Sequence, residues 1–254
     1  MEEALLIERV ATEVWKRLQE RQRKALALFT GGTIGAREGL LALEKLKEQG
    51  WYLTIVMTPG AERALGTGRI AGSLAGVPIL TEEKGWPPGP LLKEHNLILV
   101  PVLTVNSAAK VAAGIADNLV TTLILEGLLM GKPVLAAKDA CDIDNPVRSR
   151  LGMNRGMPAL REQLGNNLKK VAAYGIQLVP ARGLASAAEE LVQSLGRFRR
   201  QGEKPRGTVF TGKVLCRSQV ASWQGREITV ARGTVITPLA RDLALEKGLQ
   251  IRIE

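Results

Sequence analysis

The sequence predicts an α/β protein in which a parallel sheet is sandwiched by helices, followed by a smaller α+β module. Three observations carry this prediction. Short apolar segments alternate with helical ones, which is typical of βαβ units. The apolar segments are continuous rather than alternating, as expected for strands buried on both faces of a sheet. Near residue 200 a basic, glycine-containing stretch begins, and after it the apolar runs become shorter and alternate.

Each element before that stretch is predicted from its local pattern. The first strand is the apolar run ALALFT, which ends at two glycines. A leucine-rich helix then ends at Gly50, and the β-branched run YLTIVMT forms the second strand. Strands are predicted at 25–30, 52–58, 96–102, 133–137 and 176–180, and helices at 4–18, 37–49, 61–65, about 107–130 and 158–174.

Four segments are predicted along the chain. Residues 1–24 form an amphipathic N-terminal helix, with apolar side chains at helical spacing between charged ones. Residues 25–196 form the sheet domain and residues 197–207 a basic linker. Residues 208–254 form the small C-terminal module, with a helix that starts at Pro238. No long-period internal repeat is visible in the sequence.

The composition excludes several classes of protein. With 254 residues, 45% hydrophobic and 24% charged, the chain is long and apolar enough for a packed core. No uncharged apolar run approaches the ~20 residues of a membrane helix, so no membrane partner is expected. Residues 1–24 lack an apolar signal core, which favours a cytoplasmic protein. Two cysteines are too few for a disulfide scaffold or a zinc site, and no metal is predicted.

The formal net charge of +10 has three interpretations. It indicates a nucleic-acid surface, a solvated basic surface, or a site for an anionic ligand. Aromatic residues make up only 4% of the chain and are not interleaved with basic ones, as they are in single-strand binders. Nucleic acid is therefore disfavoured as a partner.

A glycine-rich turn follows the first predicted strand. Residues 30–36 read TGGTIGA and open the next helix. Glycines let the backbone approach a ligand closely, and the free N–H groups at a helix start attract phosphate. Thr33 adds a hydroxyl to the same turn. Tight strand-to-helix turns favour glycine in any case, so an ordinary structural turn is the alternative.

A second glycine pattern, at residues 66–71, satisfies the dinucleotide fingerprint G-x-G-x-x-G/A. That fingerprint requires a strand directly before it, whereas residues 61–65 have the pattern of a helix. No acidic residue at the end of a following strand completes the motif. We therefore do not expect a nicotinamide nucleotide there.

Residues 101–119 leave a buried strand and enter a helix of small residues. Thr104, Asn106 and Ser107 stand at the turn, where an amide and two hydroxyls supply directed hydrogen bonds to a ligand. The alternative is purely structural: Asn106 or Ser107 caps this helix and Asp117 caps the next one.

This stretch resembles the signature of flavin-dependent cysteine-decarboxylase-type flavoproteins, a family that includes phosphopantothenoylcysteine decarboxylases and epidermin-type enzymes. Residues 32–36 resemble the family's phosphate loop, Thr58 with Ala61 its T-x-x-A motif, and residues 74–78 its L-T-G-x-x-V segment. Together the matches span about residues 25–185. The signature positions that the chain keeps are Pro101, Thr104, Asn106, Lys110, Ala112, Gly114, Ile115, Ala116, Asp117 and Leu119, with Ser107 in place of a threonine.

The resemblance implies a flavodoxin-like α/β sandwich that binds FMN at a subunit interface, in a homo-oligomer that is a trimer or a multiple of it. The implied cofactor-binding residues are Gly32, Thr33, Ile34, Thr58, Thr104, Asn106 and Ser107. The first three would hold the phosphate and ribityl chain, and the other four would lie near the phosphate and the isoalloxazine. Helix N-termini suit a dianionic phosphate, and parallel sheets bind ligands at their carboxyl edge.

The chain departs from the family at its catalytic histidine. The family places that histidine upstream of the signature proline, in a register that falls at Trp86 and Pro87 here. The only histidine, His95, stands at the start of a predicted strand, where a structural role is favoured over that of a base. The remaining catalytic candidates are Asn106, Cys141 and Asn154.

Without that histidine, decarboxylation lacks a recognisable proton handler. The sequence therefore favours a redox or electron-transfer flavoprotein. Two alternatives stay open: a non-catalytic binding or scaffolding protein of the same fold, and a decarboxylase-type lyase with a displaced base.

An added loop, residues 138–150, precedes residues 153–157, which retain part of the family's substrate motif. Cys141 lies in this loop and has two interpretations: a contact to flavin or substrate, or a small buried residue, which is favoured. Asp142 and Asp144 are interpreted as part of a solvated, arginine-paired loop rather than as cation ligands.

The C-terminal module resembles the short N-terminal module of ethanolamine-utilisation proteins. The similarity lies in residues 214–220 and in residues 235–244, where ITPLARD opens a helix. It implies association with bacterial microcompartment proteins, to which an amphipathic segment such as residues 4–18 can direct cargo. Thr237 with Pro238 also makes an ordinary helix start, and residues 4–18 also suit a packing helix.

Overall fold

The computed structural model describes residues 23–202, 209–210, 212, 214–223 and 227–253. The chain divides into two compact units, residues 1–192 and residues 193–254. The N-terminal helix expected over residues 4–18 lies outside the described residues. None of the helices among those described is long and apolar enough to cross a membrane.

The first unit contains one sheet of six parallel strands. The strands are β1 (Lys24–Phe29), β2 (Tyr52–Met57), β3 (Ile79–Thr81), β4 (Leu97–Val102), β5 (Val134–Ala137) and β6 (Ile176–Val179). Their order is β3-β2-β1-β4-β5-β6. The three-residue edge strand β3 was not predicted. The other five strands were, and in chain order they lie as 2-1-3-4-5, which is the flavodoxin-like arrangement. The predicted fold class is therefore confirmed.

Helices cover both faces of this sheet. They are α1 (Ala36–Glu48), α2 (Pro59–Leu65), α3 (Thr67–Ser73), α4 (Pro88–Glu94), α5 (Val105–Ala112), α6 (Leu119–Leu129), α7 (Pro146–Arg150), α8 (Pro158–Ala173) and α9 (Leu184–Gly202). Alternate residues of β1 separate the two cores, with Ala27 and Phe29 in one and Leu26 and Leu28 in the other. Burial of apolar side chains on both faces explains why the strands are continuous apolar runs.

The single helix predicted over about 107–130 is two helices, α5 and α6. The first ends before Gly114, whose φ of 72° is left-handed and stops the helix. Asn118 begins the second: its side chain accepts the N–H of Thr121 at 3.0 Å, and its own N–H donates to Oγ1 of Thr121 at 3.3 Å. This reciprocal cap makes residues 113–118 a turn, so the prediction of one continuous helix is wrong.

The strand order reverses between β1 and β4. The helix that follows β1 packs on one face of the sheet, with Leu43 and Leu46 in its core. The helix that follows β4 packs on the opposite face, with Val111 and Ala112 in that core. Because the two connections leave in opposite directions, a crevice opens at the carboxyl ends of these strands, where α/β sheets bind ligands.

The second unit is built from two β-α-β segments. Its elements are β7 (Val209–Phe210), β8 (Val214–Leu215), α10 (Arg217–Ser222), β9 (Glu227–Val230), β10 (Val235–Ile236), α11 (Pro238–Glu246) and β11 (Gln250–Ile253). β8 pairs in parallel with β10, β9 pairs in parallel with β11, and the two helices pack together. The two halves therefore share one order of elements, strand, helix and strand.

The predicted linker at residues 197–207 differs from the structure in its first half. α9 continues to Gly202, and the two units divide inside it, after Val192. Arginine and glutamine are good helix formers, and the first proline of the segment is Pro205, so nothing stops the helix earlier. Residues 203–208 lie outside the described residues.

Candidate functional site

A cavity of about 680 Å³ opens where β1 and β4 end. Its wall is built mainly from the segments that follow β1, β2, β4 and β5, because the carboxyl ends of parallel strands share one edge. The seven residues implied for cofactor binding all line it: Gly32, Thr33, Ile34, Thr58, Thr104, Asn106 and Ser107. We refer to this space as the switch-point cavity.

Glycines in the turn after β1 allow the neighbouring loops to close around it. A Cβ on Gly31 would lie 2.7 Å from the carbonyl carbon of Gly60, and a Cβ on Gly32 would lie 2.8 Å from Cγ2 of Thr104. The backbone N–H groups of Thr33 and Ile34 donate no hydrogen bond to any described residue. The turn therefore presents unpaired N–H groups to the cavity, as phosphate loops do.

Hydrogen bonds from threonine hydroxyls hold the segments at the strand ends around the cavity. Thr30 Oγ1 donates to the carbonyl oxygen of Val102 at 2.8 Å and accepts the N–H of Thr104 at 3.0 Å, which ties β1 to β4. Thr58 Oγ1 accepts the N–H of Ala61 at 3.1 Å and caps α2. The loops are thus held rigidly at their bases, which favours a preformed ligand site.

The residues that cap α5 and α6 differ from those that the sequence suggested. Thr104, not Asn106 or Ser107, caps α5: its Oγ1 accepts the N–H of Ser107 at 3.3 Å. Asn118, not Asp117, caps α6. Asn106 is exposed at the cavity, and its side chain makes no hydrogen bond within the described part of the chain. Its amide is therefore available to a ligand.

Charged side chains also line the switch-point cavity. Lys110 donates to Oδ2 of Asp117 at 2.5 Å, and this hydrogen bond lowers the pKa of the Asp117 carboxyl. Glu82 Oε1 accepts the N–H of Leu119 at 2.9 Å, at the start of α6. Arg63 on α2 makes no ion pair or hydrogen bond with another described residue. Among these groups, Arg63 is the cation free to meet an anion.

The added loop after β5 closes one side of the cavity. Arg148 Nε donates to the carbonyl oxygen of Asp142 at 3.0 Å, and its Nη2 donates to the carbonyl oxygen of Ala140. These bonds fold the loop back on itself, so that Ala140, Arg148 and Met153 all reach the cavity wall. Residues 153–157, which resemble part of the family's substrate motif, thus reach the cavity through Met153.

The remaining catalytic candidates lie outside the wall. Cys141 is buried, its Sγ donates to the carbonyl oxygen of Lys138 at 3.2 Å, and burial raises its pKa to about 12. Such a thiol stays protonated and unreactive. Asn154 is exposed on the surface and does not line the cavity. Two carboxylates of the loop form ion pairs, Asp142 with Lys138 at 3.4 Å and Asp144 with Arg161 at 2.8 Å.

His95 directly follows α4, before β4 begins, and its ring makes structural contacts. Its Nδ1 lies 2.7 Å from the carbonyl oxygen of Leu91, which can only accept, so Nδ1 carries the proton. Its Nε2 lies 2.9 Å from Oγ1 of Thr54 and accepts from that hydroxyl. Burial lowers the pKa of His95 and so disfavours its charged form. Trp86 and Pro87, at the register of the family's histidine, supply no acid or base.

Sequence reasoning missed three charged residues of the wall, Arg63, Glu82 and Arg148. Glu82 follows β3, a strand too short to be recognised, and Arg148 reaches the wall only because its loop folds back. Arg63 had a usable signal, since it lies on the helix that opens at Thr58. Together with Lys110 and Asp117, these residues give the wall a formal charge of +1.

Comparison with known proteins agrees with this architecture. A family model described as Flavoprotein matches residues 15–197. No curated protein sequence matches the chain significantly. One similar solved structure is the FMN-dependent cysteine decarboxylase TvaF from thioviridamide biosynthesis, with 22% identity, coverage of 68% of this chain and 99% of that chain, and a TM-score of 0.52.

Burkholderia xenovorans DmrB, described as a cubic protein cage for redox transfer, is also similar. Its apo form has 17% identity, coverage of 72% and 98%, and a TM-score of 0.51. Its complex with FMN has 18% identity, the same coverage, and a TM-score of 0.50. At these identities the solved structures show a shared fold.

Proposed function

Because the chain belongs to the Flavoprotein family, we propose that its switch-point cavity binds FMN and that the protein uses the flavin for electron or hydride transfer. One observation carries the proposal. A glycine turn with unpaired N–H groups and a set of hydroxyl and amide side chains line the same cavity of about 680 Å³. TvaF is described as FMN-dependent, and DmrB was solved with FMN.

The residues present fit an FMN phosphate. The N–H groups of Thr33 and Ile34 and the hydroxyls of Thr33 and Thr58 are hydrogen-bonding groups for its oxygens. Arg63 is the unpaired cation beside them, and a charged hydrogen bond from it would strengthen binding. The close packing of Gly32 against Thr104 leaves backbone rather than side chain facing the ligand.

The distribution of acids and bases favours redox chemistry. A bound flavin itself supplies the electron or hydride chemistry, and the protein positions it. The cavity wall, as far as the structure describes it, contains no histidine. Its two carboxylates are engaged, Asp117 with Lys110 and Glu82 with the N–H of Leu119. The exposed amide of Asn106 at the cavity supports a role in orienting the flavin or its reaction partner.

The substitution Thr33→Glu tests FMN binding. A carboxylate in this turn repels the phosphate dianion, so the purified variant should lose the flavin absorbance in the near-ultraviolet and blue. Thr67→Glu is the matched control, because Thr67 is exposed and lies outside the cavity wall. The control should keep the absorbance, and both variants should keep the wild-type circular dichroism. A fully yellow Thr33→Glu protein contradicts the assignment.

A second candidate function is decarboxylation with Glu82 as a displaced proton handler. One observation favours it: Glu82 lines the cavity, and only one of its carboxylate oxygens has a hydrogen-bond partner among the described residues. If this candidate is right, flavin-loaded protein releases CO₂ from a peptide with a C-terminal cysteine, and Glu82→Gln abolishes release while retaining flavin. If the redox proposal is right, no CO₂ is released, and the bound flavin is reduced and reoxidised reversibly.

Oligomerisation and microcompartment association complete the proposal. Leu151, Met153 and Met157 are 60%, 61% and 75% exposed beside the cavity loop, an apolar surface suited to contact with another copy of the chain. Light scattering tests for a trimer or a multiple of it. Microcompartment association rests on the resemblance of the C-terminal module, and co-purification with shell proteins from a native host tests it.

A further inference from the structure

A chain of three hydroxyl groups runs from the interior of the sheet domain to the switch-point cavity. Thr30 stands at its inner end, since this residue is 1% exposed and does not belong to the cavity wall. Its Oγ1 lies 3.2 Å from Oγ1 of Thr104, which in turn lies 3.1 Å from Oγ of Ser107. Thr104 and Ser107 both line the cavity. The chain therefore connects a buried residue behind the wall to two hydroxyls of the wall.

The neighbouring groups determine the direction of these hydrogen bonds. A carbonyl oxygen can only accept, so the hydroxyl of Thr30 donates to that of Val102, 2.8 Å away. Thr30 Oγ1 also accepts the N–H of Thr104 at 3.0 Å, which occupies one of its two lone pairs. The hydroxyl of Thr104 then donates to its shorter contact, Oγ of Ser107. Ser107 Oγ has no other partner within the described part of the chain, so its own proton is left for the cavity.

We propose that Thr30 is a positioning residue, which holds Thr104 so that the hydroxyl of Ser107 donates a hydrogen bond to the ring of the bound flavin. The proposal rests on the proposed function, because the flavin must occupy the switch-point cavity. Thr33 and Thr58, whose hydroxyls suit the phosphate, follow β1 and β2, whereas Ser107 follows β4, on the other side of β1. At about 4.8 Å per strand, the segments after β2 and β4 are about 10 Å apart. Ser107 therefore lies toward the ring end of a flavin whose phosphate is bound at Thr33.

A hydrogen-bond donor at the ring favours the reduced flavin. Reduction raises the negative charge on the oxygen and nitrogen atoms of the ring, and a fixed donor stabilises that charge. Ser107→Ala should therefore lower the preference for reduced over oxidised flavin by about tenfold, as expected for one hydrogen bond to a charged group. For a two-electron couple this is a reduction potential lower by about 30 mV. Thr30→Val changes no residue of the wall and should nevertheless cause most of the same shift.

Reduction potentials of the flavin-loaded, full-length protein, measured against a reference dye, test the proposal. The double variant Thr30→Val/Ser107→Ala should shift the potential no further than Ser107→Ala alone, because the first residue acts through the second. Thr30→Ser keeps the hydroxyl and should restore the wild-type potential. The matched control is Thr54→Val, which removes a hydroxyl 2.9 Å from Nε2 of His95, away from the cavity wall. The control should lower the free energy of unfolding and leave the potential unchanged.

Urea unfolding of the same variants separates positioning from a purely structural role. The proposal is wrong if Thr30→Val lowers the free energy of unfolding but keeps the wild-type potential, or if the two single shifts add in the double variant. If Thr30→Val does not fold, Thr30→Cys takes its place, because a thiol is a weak donor of similar size and should still lower the potential. Protein that binds no flavin overturns the proposed function and this proposal together, whereas a flavin-loaded Ser107→Ala variant with the wild-type potential overturns this proposal alone.

Discussion

Because of the close contact between Gly31 and Gly60, we expect alanine substitutions at these two positions to change the stability of the protein by different amounts. A Cβ on Gly31 would lie 2.7 Å from the carbonyl carbon, 2.8 Å from the carbonyl oxygen and 3.0 Å from the Cα of Gly60. Non-bonded carbon atoms prefer about 3.5–4.0 Å, so the two loops must separate by roughly 1 Å. All three atoms are backbone and no side chain can rotate away. Gly31→Ala should therefore lower the free energy of unfolding by about 1–3 kcal/mol.

The matched control is the same substitution on the other side of the contact, Gly60→Ala. A Cβ on Gly60 would lie 3.5 Å from the Cα of Gly31, an ordinary contact, and neither glycine has a positive φ. Gly60 lies in the first turn of α2, where alanine restricts the unfolded chain and favours the helix. Gly60→Ala should therefore be neutral, or stabilising by up to about 1 kcal/mol. Urea unfolding followed by circular dichroism measures both, and equal destabilisation by the two variants would refute the reasoning.

Three further predictions concern single side chains. Asn106→Ser leaves the cap of α5 intact, because Thr104 makes it, so the variant should keep its flavin but shift the flavin's absorbance or reduction potential; identical values would assign Asn106 no role at the flavin. Alkylation at mildly alkaline pH should label Cys216 before Cys141. A hydrogen bond with Ser218 lowers the pKa of Cys216, whereas burial raises the pKa of Cys141 to about 12. Equal labelling of the two cysteines in mass spectrometry would contradict this. The pKa of His95 is lowered by burial, so the unfolded chain takes up its proton first, and the free energy of unfolding should fall as the pH drops below 6.5, the ordinary value; a pH profile of His95→Gln with the same slope would exclude His95 as the cause.

Most strands of the sheet were predictable because buried strands consist largely of apolar residues. The five predicted strands of the sheet are apolar runs with at most one polar or charged residue each, such as Thr54 in β2 and Gln177 in β6. The strand β3 escaped recognition because three residues carry no period. The break between α5 and α6 depends on a cap at Asn118 and a left-handed Gly114 inside a run of small apolar residues. Such a run fits one long helix equally well, so the apolar pattern alone could not place the break.

The candidate site was predictable as far as it lies at strand ends. The turn at Thr33 and the turn at Asn106 follow different strands, and the rule that parallel strands share a carboxyl edge places them together. Arg148 and Glu82 could not be found this way. Their positions depend on how a long loop folds back through carbonyl contacts and on the presence of β3, and neither feature leaves a periodic signal.

The residues of the switch-point cavity come from the segments beyond the strands, not from the strands themselves. Mutations in those segments alter ligand contacts while the apolar residues that stabilise the sheet stay untouched. Evolution can therefore exchange an acid, a hydroxyl or a cation at the edge without rebuilding the interior. This separation explains how chains with 17–22% identity retain one fold.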